Sequence, residues 1–144
     1  MSCTYSSLFF HCVWSTKDRY PWLEKPIDER LYQYMIGIVR NEGGVVCVIN
    51  GMPDHVHVLI SLAPTILVST LIGVVKRQST LFLHATYPGM CNFSWQKGFS
   101  VFSVSNSMVP VVKKYIEQQK QHHEKLLFTD EYFKLLQKHG IVLP

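Results

Sequence analysis

The sequence predicts an α+β fold in which an antiparallel sheet carries helices on one face. The length of 144 residues fits a single domain, covering residues 1–144, with one continuous core. Hydrophobic residues make up 47% of the chain and charged residues 17%, so there is enough apolar surface to offset the entropy of ordering it. Strand-like and helix-like segments follow one another as β-α-β-β-α-β-α-α. This order indicates a ferredoxin-like, split βαβ (RRM-like) layout with additional C-terminal helices.

The first half of the chain contains three predicted strands and one helix. Residues 5–14 are rich in aromatic and β-branched side chains, which is typical of a strand. A helical pattern of apolar residues begins at Asp28 and continues to a pair of glycines. Residues 45–49 are short and apolar, and Asn50-Gly51 favours a tight turn. Residues 55–62 again resemble a strand, so we expect them to form a hairpin with residues 45–49.

The second half continues with a helix, a strand and two C-terminal helices. Ser69 is suited to cap a helix that ends before a Pro-Gly pair. Residues 99–104 form the last predicted strand. A helix then runs through residue 115 to about residue 124, and its proline falls in the first turn, where it is tolerated. A final short helix covers residues 130–139 and is closed by Gly140.

Composition excludes some classes of protein and leaves others open. No segment approaches the roughly 18 apolar residues of a membrane span, and the N-terminus lacks the charge pattern of a signal peptide, so we expect a cytoplasmic protein without membrane association. The net charge of +4 permits a polyanionic partner without requiring one. The cysteines form no Cys-x-x-Cys pair, and we expect reduced thiols. They are Cys3, Cys12, Cys47 and Cys91.

Two histidines lie on the strand predicted for residues 55–62. Because alternate side chains of a strand point to the same face, His55 and His57 project side by side. Two imidazoles on a rigid strand can bind a divalent metal ion. The alternative is a solvated sheet face that happens to carry two histidines, and the spacing alone does not separate these interpretations.

A tyrosine and a glutamine share one face of the next-to-last predicted helix. Tyr115 and Gln119 are four residues apart, and His122 lies about one turn further on. A phenol has a pKa of about 10, so a tyrosine nucleophile needs activation, which a nearby metal-bound phosphate could provide. Considered by itself, this segment is better explained as an ordinary amphipathic helix with Tyr115 at the edge of the core.

Taken together, these residues and several other segments resemble the single-tyrosine HUH transposases (TnpA-type) of the smallest bacterial and archaeal insertion sequences. HUH denotes histidine, hydrophobic, histidine, which is His55-Val56-His57 here. The matching segments come in the family's order and cover nearly the whole chain. They are Val13-Trp14-Ser15-Thr16-Lys17, Pro53-Asp54-His55-Val56-His57, the helix around Lys76, Trp95-Gln96-Lys97-Gly98-Phe99, and Tyr115-Ile116 with Gln119, followed by His122-His123.

The resemblance implies a function and a set of site residues. His55, His57 and Gln119 would bind Mg²⁺ or Mn²⁺, and Tyr115 would be the nucleophile. Attack on single-stranded DNA would give a 5′-phosphotyrosine and a free 3′-hydroxyl, and a different 3′-hydroxyl would then rejoin the strand. Family members recognise hairpins near the ends of the element and act as homodimers, often with sites shared between subunits. The resemblance also implies that the protein acts in the cytoplasm of a bacterial or archaeal cell.

Other polar residues are weaker candidates. Asp54 precedes the histidine motif in the family too, but the sequence assigns it no role, and His122 either supports the site or belongs to a polar helix face. Five basic residues are candidate DNA phosphate contacts, although solvated surface explains each of them equally well. They are Lys76, Arg77, Lys97, Lys113 and Lys114.

Two other functions fit parts of the sequence. A non-catalytic, ferredoxin-like nucleic-acid-binding module would stack bases on aromatic residues of the sheet, but it would not explain the paired histidines together with Tyr115 and Gln119. A histidine-triad nucleotide hydrolase would need a third histidine where this chain has Leu59. A cleavage assay with divalent metal separates the enzyme from the binding module.

Overall fold

The computed structural model describes residues 3–122 and 127–144, without the side chain of residue 122. The order of the elements is the one that the sequence predicts, except that the tyrosine-bearing helix is divided in two. The elements are β1 (Phe9–Ser15), α1 (Ile27–Asn41), β2 (Gly44–Met52), β3 (His55–Leu62), α2 (Val68–Thr86), β4 (Ser100–Val104), α3 (Val109–Glu117), α4 (Gln119–His122) and α5 (Phe128–Lys138).

The four strands form one sheet in the order β2-β3-β1-β4, and every neighbouring pair is antiparallel. This order is that of the ferredoxin-like layout, which confirms the predicted fold class. Helices α1 and α2 pack against one face of the sheet, while α3 and α5 pack against the other. No helix of the described residues combines the length and the apolar character needed to cross a membrane.

The face under α1 and α2 is an apolar core. Alternate residues of β3 point into it, and Val56, Val58 and Ile60 are each at most 2% exposed. Leu31 of α1 and Ile72 of α2 are fully buried against them. The sheet is therefore held to these two helices by the hydrophobic effect over a continuous surface.

The opposite face is built differently. Leu59 and Val104 pack against Ile116 of α3, and a second small cluster joins Val13 and Phe102 to α5. Polar side chains occupy the space between these two apolar clusters. The C-terminal helices thus cover a face that is only partly hydrophobic.

The prediction of a turn at Asn50-Gly51 is wrong. β2 runs through both residues, and the hairpin turns at Pro53 and Asp54 instead. A Cβ on Gly51 would lie 2.2 Å from the carbonyl oxygen of His55, so the glycine is needed where the two strands approach closely. A residue pair typical of turns is used here for close packing.

Other predicted element boundaries also differ, among them those of β2 (Gly44–Met52), β4 (Ser100–Val104) and α5 (Phe128–Lys138). Ser69 does not cap α2, because the helix begins at Val68 and has no side-chain cap. β1 begins at Phe9 rather than at residue 5, since this is where both of its partner strands stop pairing. The predicted helix through Tyr115 is interrupted at Gln118, whose ψ of 16° separates α3 from α4.

Candidate active site

Four polar side chains meet between the two apolar clusters of the second face. His55 and His57 project from β3, Gln119 begins α4, and Glu131 lies in the first turn of α5. The two histidines and the glutamine are fully buried, and Glu131 is 3% exposed. Burying polar groups is costly unless they are hydrogen-bonded, so this arrangement depends on the contacts among them.

Each histidine of β3 is held through its Nδ1 atom. Nδ1 of His55 lies 2.7 Å from a carboxylate oxygen of Asp54, and Nδ1 of His57 lies 2.8 Å from Nε2 of His11. Burial lowers the pKa of His11 to about 3, with a further contribution from His57, so a neutral His11 can accept this hydrogen bond. These contacts fit the tautomer in which Nδ1 carries the proton, which leaves both Nε2 lone pairs for a ligand.

Both Nε2 atoms face the carboxylate of Glu131. Its Oε1 lies 3.0 Å from Nε2 of His57 and 3.8 Å from Nε2 of His55. Oε1 of Gln119 lies 3.4 Å from Nε2 of His55, while the Gln119 amide donates to the other Glu131 oxygen at 3.2 Å. The possible ligand atoms of the two histidines and Glu131 all lie within 4.8 Å of one another, so this donor set fits a divalent ion.

The hydroxyl group of Tyr115 joins the same cluster. Its ring lies 5.9 Å from the ring of His57, and its hydroxyl is hydrogen-bonded to Glu131. Burial raises the pKa of Tyr115 and the Glu131 carboxylate raises it further, whereas a hydrogen bond with Gln119 opposes the shift. Burial and the neighbouring carboxylate therefore both favour the protonated phenol. A cavity of about 250 Å³ between α3 and α5 opens onto Tyr115 and Glu131.

A polar network anchors the junction of α3 and α4 to β2. The Asn50 amide donates to the carbonyls of Ile116 and Glu117, both at 3.1 Å, at the C-terminal end of α3. Nζ of Lys120 in turn donates to Asn50 Oδ1 and to Asp28 Oδ2, each at 3.3 Å. Tyr115 and Gln119 lie on either side of this anchor, so it sets the position of one relative to the other.

The sequence profile of the family described as "Transposase IS200 like" matches residues 4–119. The chain belongs to the IS200-like transposase family. The match includes β3 with its two histidines, Tyr115 and Gln119, and it ends before Glu131.

Several known proteins are similar to this transposase. The ISDra2 transposase TnpA of Deinococcus radiodurans is 27% identical over 123 residues, which are 82% of this chain and 86% of the relative. The crystal structure of a transposase candidate from D. radiodurans R1 has a TM-score of 0.67 at 22% identity and covers 83% of this chain and 95% of that one. The structure of a REP-associated tyrosine transposase bound to a REP hairpin has a TM-score of 0.64 at 19% identity. The match covers 88% of this chain and 74% of that one. The two solved structures share its fold.

The transposase chain brings together the residues that sequence analysis grouped. His55, His57, Gln119 and Tyr115 are all in one cluster, and Asp54 contacts His55 directly. The two histidines lie on β3, whereas Tyr115 lies on α3 and Gln119 on α4, much further along the sequence. The side chain of His122 lies outside the described residues, although its backbone ends α4.

The candidate phosphate contacts are not together. Lys76 donates to the carbonyls of Gln96, at 2.9 Å, and of Gly98, so it braces the loop before β4. Arg77 and Lys97 line an open groove beside this loop. The two lysines of α3 are exposed and belong to the opposite face of the sheet. They are Lys113 and Lys114.

Sequence analysis missed two residues of this cluster. Glu131 follows Asp130 in the first turn of a helix, where acidic residues favour the helix dipole, and nothing local distinguishes it from such a residue. His11 carried a usable signal, because it is a polar residue inside an otherwise apolar strand and shares a face with Val13. A polar residue at an inward-facing strand position indicates a buried polar partner.

Proposed function

We propose that this IS200-like transposase cleaves and rejoins single-stranded DNA with Tyr115 as the nucleophile, helped by a divalent metal ion. One observation carries the proposal. The Tyr115 hydroxyl is hydrogen-bonded to Glu131, a carboxylate that also faces Nε2 of both His55 and His57. The proposed nucleophile and a proposed metal ligand are therefore in direct contact.

The residues that would hold the ion are the two histidines, through Nε2, and the side-chain oxygens of Gln119 and Glu131. Imidazole and oxygen donors together suit Mn²⁺ or Mg²⁺. When bound, the cation would polarise the scissile phosphate and offset the negative charge beside Tyr115. Asp54 and His11 would keep the imidazoles in the orientation that binds metal, as hydrogen-bond partners of ligating histidines usually do.

The chemical step forms one bond to phosphorus and breaks another. The Tyr115 oxygen attacks the phosphate in line, the bond to the 3′-oxygen breaks, and a 5′-phosphotyrosine results. Glu131 is placed to accept the phenol proton and to return a proton to the departing 3′-oxygen. Rejoining runs the same step in reverse with a different 3′-hydroxyl, so no external energy source is needed.

The proposed substrate is single-stranded DNA that carries a hairpin near the end of a mobile element. The family membership supports this, and a structural relative is bound to a REP hairpin. Arg77 and Lys97 on one side, and Lys113 and Lys114 on the other, are the proposed phosphate contacts. The proposal includes a homodimer in the cytoplasm of a bacterial or archaeal cell, as the family resemblance implies.

The test is covalent capture of DNA. A single-stranded oligonucleotide copied from the DNA that flanks the gene is incubated with Mn²⁺ and protein, and a protease-sensitive adduct is measured on a denaturing gel. We expect the adduct with the unaltered protein and with Tyr34→Phe, which changes a half-exposed tyrosine on α1. We expect none with Tyr115→Phe at any metal concentration, because the nucleophile is missing, and hairpin binding should survive.

The His57→Ala variant distinguishes loss of metal binding from loss of the nucleophile. This variant should also form no adduct at the Mn²⁺ concentration used for the unaltered protein. A higher Mn²⁺ concentration is expected to restore part of the adduct formation, because Tyr115 is still present. An adduct on Tyr115→Phe would mean that another residue is the nucleophile. Hairpin binding without any adduct on the unaltered protein would favour the non-catalytic binding module.

A further inference from the structure

A second cavity lies on the other side of α5 from Tyr115, and the proposed chemistry does not use it. It measures about 340 Å³ and is enclosed by the end of β1, the loop before β4 and the first turns of α5. Trp14 of β1 lines it as well, although its side chain is buried in the core on the other face of the sheet, and four further aromatic residues line it, three of them from α5. They are Phe99, Phe128, Tyr132 and Phe133.

This cavity adjoins the candidate metal site. Phe128 lines the cavity, and its ring stacks on His55 with the centroids 3.8 Å apart and the planes 13° from parallel. His55 is one of the proposed metal ligands. One aromatic ring therefore contacts both a proposed metal ligand and the cavity.

The rim of the cavity is cationic. Arg19 and Lys97 both line it and both are exposed. Among the residues that the structure describes, no carboxylate lies within 4.0 Å of the charged nitrogens of either side chain. Such cations are available for an anionic partner, and together with aromatic walls they are typical of sites that bind single-stranded nucleic acid.

The backbone that presents Arg19 is strained. Asp18 and Arg19 have φ of 57° and 54°, a conformation that non-glycine residues rarely adopt. Arg19 N donates to the carbonyl of Thr16 at 3.0 Å, and the Asp18 amide donates to the side chain of Gln96 at 3.3 Å. The Arg19 guanidinium contacts the hydroxyl of Thr129 on α5. These contacts fix a cation at the mouth of the cavity.

We propose that this cavity binds one unpaired nucleobase of the single-stranded DNA, next to the phosphate that Tyr115 attacks. The base stacks on the aromatic walls, while Arg19 and Lys97 contact the flanking phosphates and Gln96 offers an amide to the base edge. The position relative to the cleaved bond rests on the proposed function, but base binding itself does not.

The test places the fluorescent base 2-aminopurine at one position at a time along the single-stranded part of the oligonucleotide copied from the DNA that flanks the gene. It uses Tyr115→Phe protein, so that the measurement needs no cleavage. Stacking on an aromatic side chain quenches 2-aminopurine, and we expect strong quenching at one single-stranded position. Adding Phe133→Ala, at a half-exposed wall residue, should abolish that quenching and weaken DNA binding about tenfold.

Two further variants control for folding and for general loss of an aromatic residue. Phe133→Leu keeps an apolar side chain of similar size but removes the ring, so it should lose the quenching while retaining the fold. Tyr34→Ala removes a ring of comparable exposure on α1, on the other face of the sheet, and should leave the quenching unchanged. Circular dichroism of each variant reports whether the fold is intact.

The possible results separate this proposal from the proposed function. The proposal that the cavity binds a base is overturned if quenching persists in the folded Phe133 variants. It is also overturned if no position of the DNA shows quenching. Position-specific quenching that depends on Phe133 supports it even if the unaltered protein forms no covalent adduct, and in that case the proposed chemistry fails alone.

Discussion

The two faces of the sheet are formed by the same strands but have different roles. On β3, Val56 and Val58 point into the apolar core under α1 and α2, while the intervening His55 and His57 point into the polar cluster under α3 and α5. The first face gains stability from continuous apolar burial. The second buries polar groups that must satisfy one another, so its geometry is specified by hydrogen bonds. Strand alternation thus lets one strand serve both as scaffold and as site.

If this comparison is correct, the largest effect on stability comes from the apolar face. Ile72→Ala, at a fully buried position of α2, should lower the free energy of unfolding by about 2–5 kcal/mol, because it leaves a cavity in the core. Urea denaturation measures this change. Val45→Ala, at an exposed position of β2, is the matched control and should stay within about 0.5 kcal/mol. Equal losses at both positions would contradict the division between the faces.

A smaller stability effect, but a larger functional one, is expected at the anchor of the polar face. Asn50→Ala removes the two hydrogen bonds to the end of α3, which should cost about 1–2 kcal/mol of unfolding free energy. Because Tyr115 and Gln119 are positioned by this anchor, the rate of adduct formation should fall by about tenfold or more.

The control for Asn50 is Asn41→Ala, at an exposed position of α1, which should leave both quantities unchanged. Single-turnover rates under saturating DNA make the comparison. Loss of stability with an unaltered rate would show that Asn50 supports the fold without positioning Tyr115.

The same comparison explains which features could be predicted from sequence. Strand alternation placed His55 and His57 on one face, and helical spacing placed Tyr115 with Gln119, because both rules act over a few residues. The break at Gln118 did not separate the latter pair, since Asn50 holds the end of α3 in place.

The features that were missed depend on contacts between distant segments. Glu131 reaches His57 from a helix 74 positions away, and no local pattern marks it. Asn50-Gly51 has the composition of a turn, but its use depends on the close approach of β3 and on the carbonyls of α3. Local sequence specifies what a residue can do, and the tertiary fold decides which of these possibilities is used.

The central claim is that the polar face binds a divalent cation, and thermal unfolding with and without Mn²⁺ tests it most directly. A ligand at a hundred times its dissociation constant stabilises the folded state by about 2.7 kcal/mol, so Mn²⁺ should raise the Tm of the unaltered protein by about 5–10 °C. His57→Ala and Glu131→Gln should lose this increase, whereas His84→Ala, on α2 and hydrogen-bonded to the Phe93 carbonyl, should keep it. The same increase in His57→Ala as in the unaltered protein, or no increase in any of them, would contradict the claim.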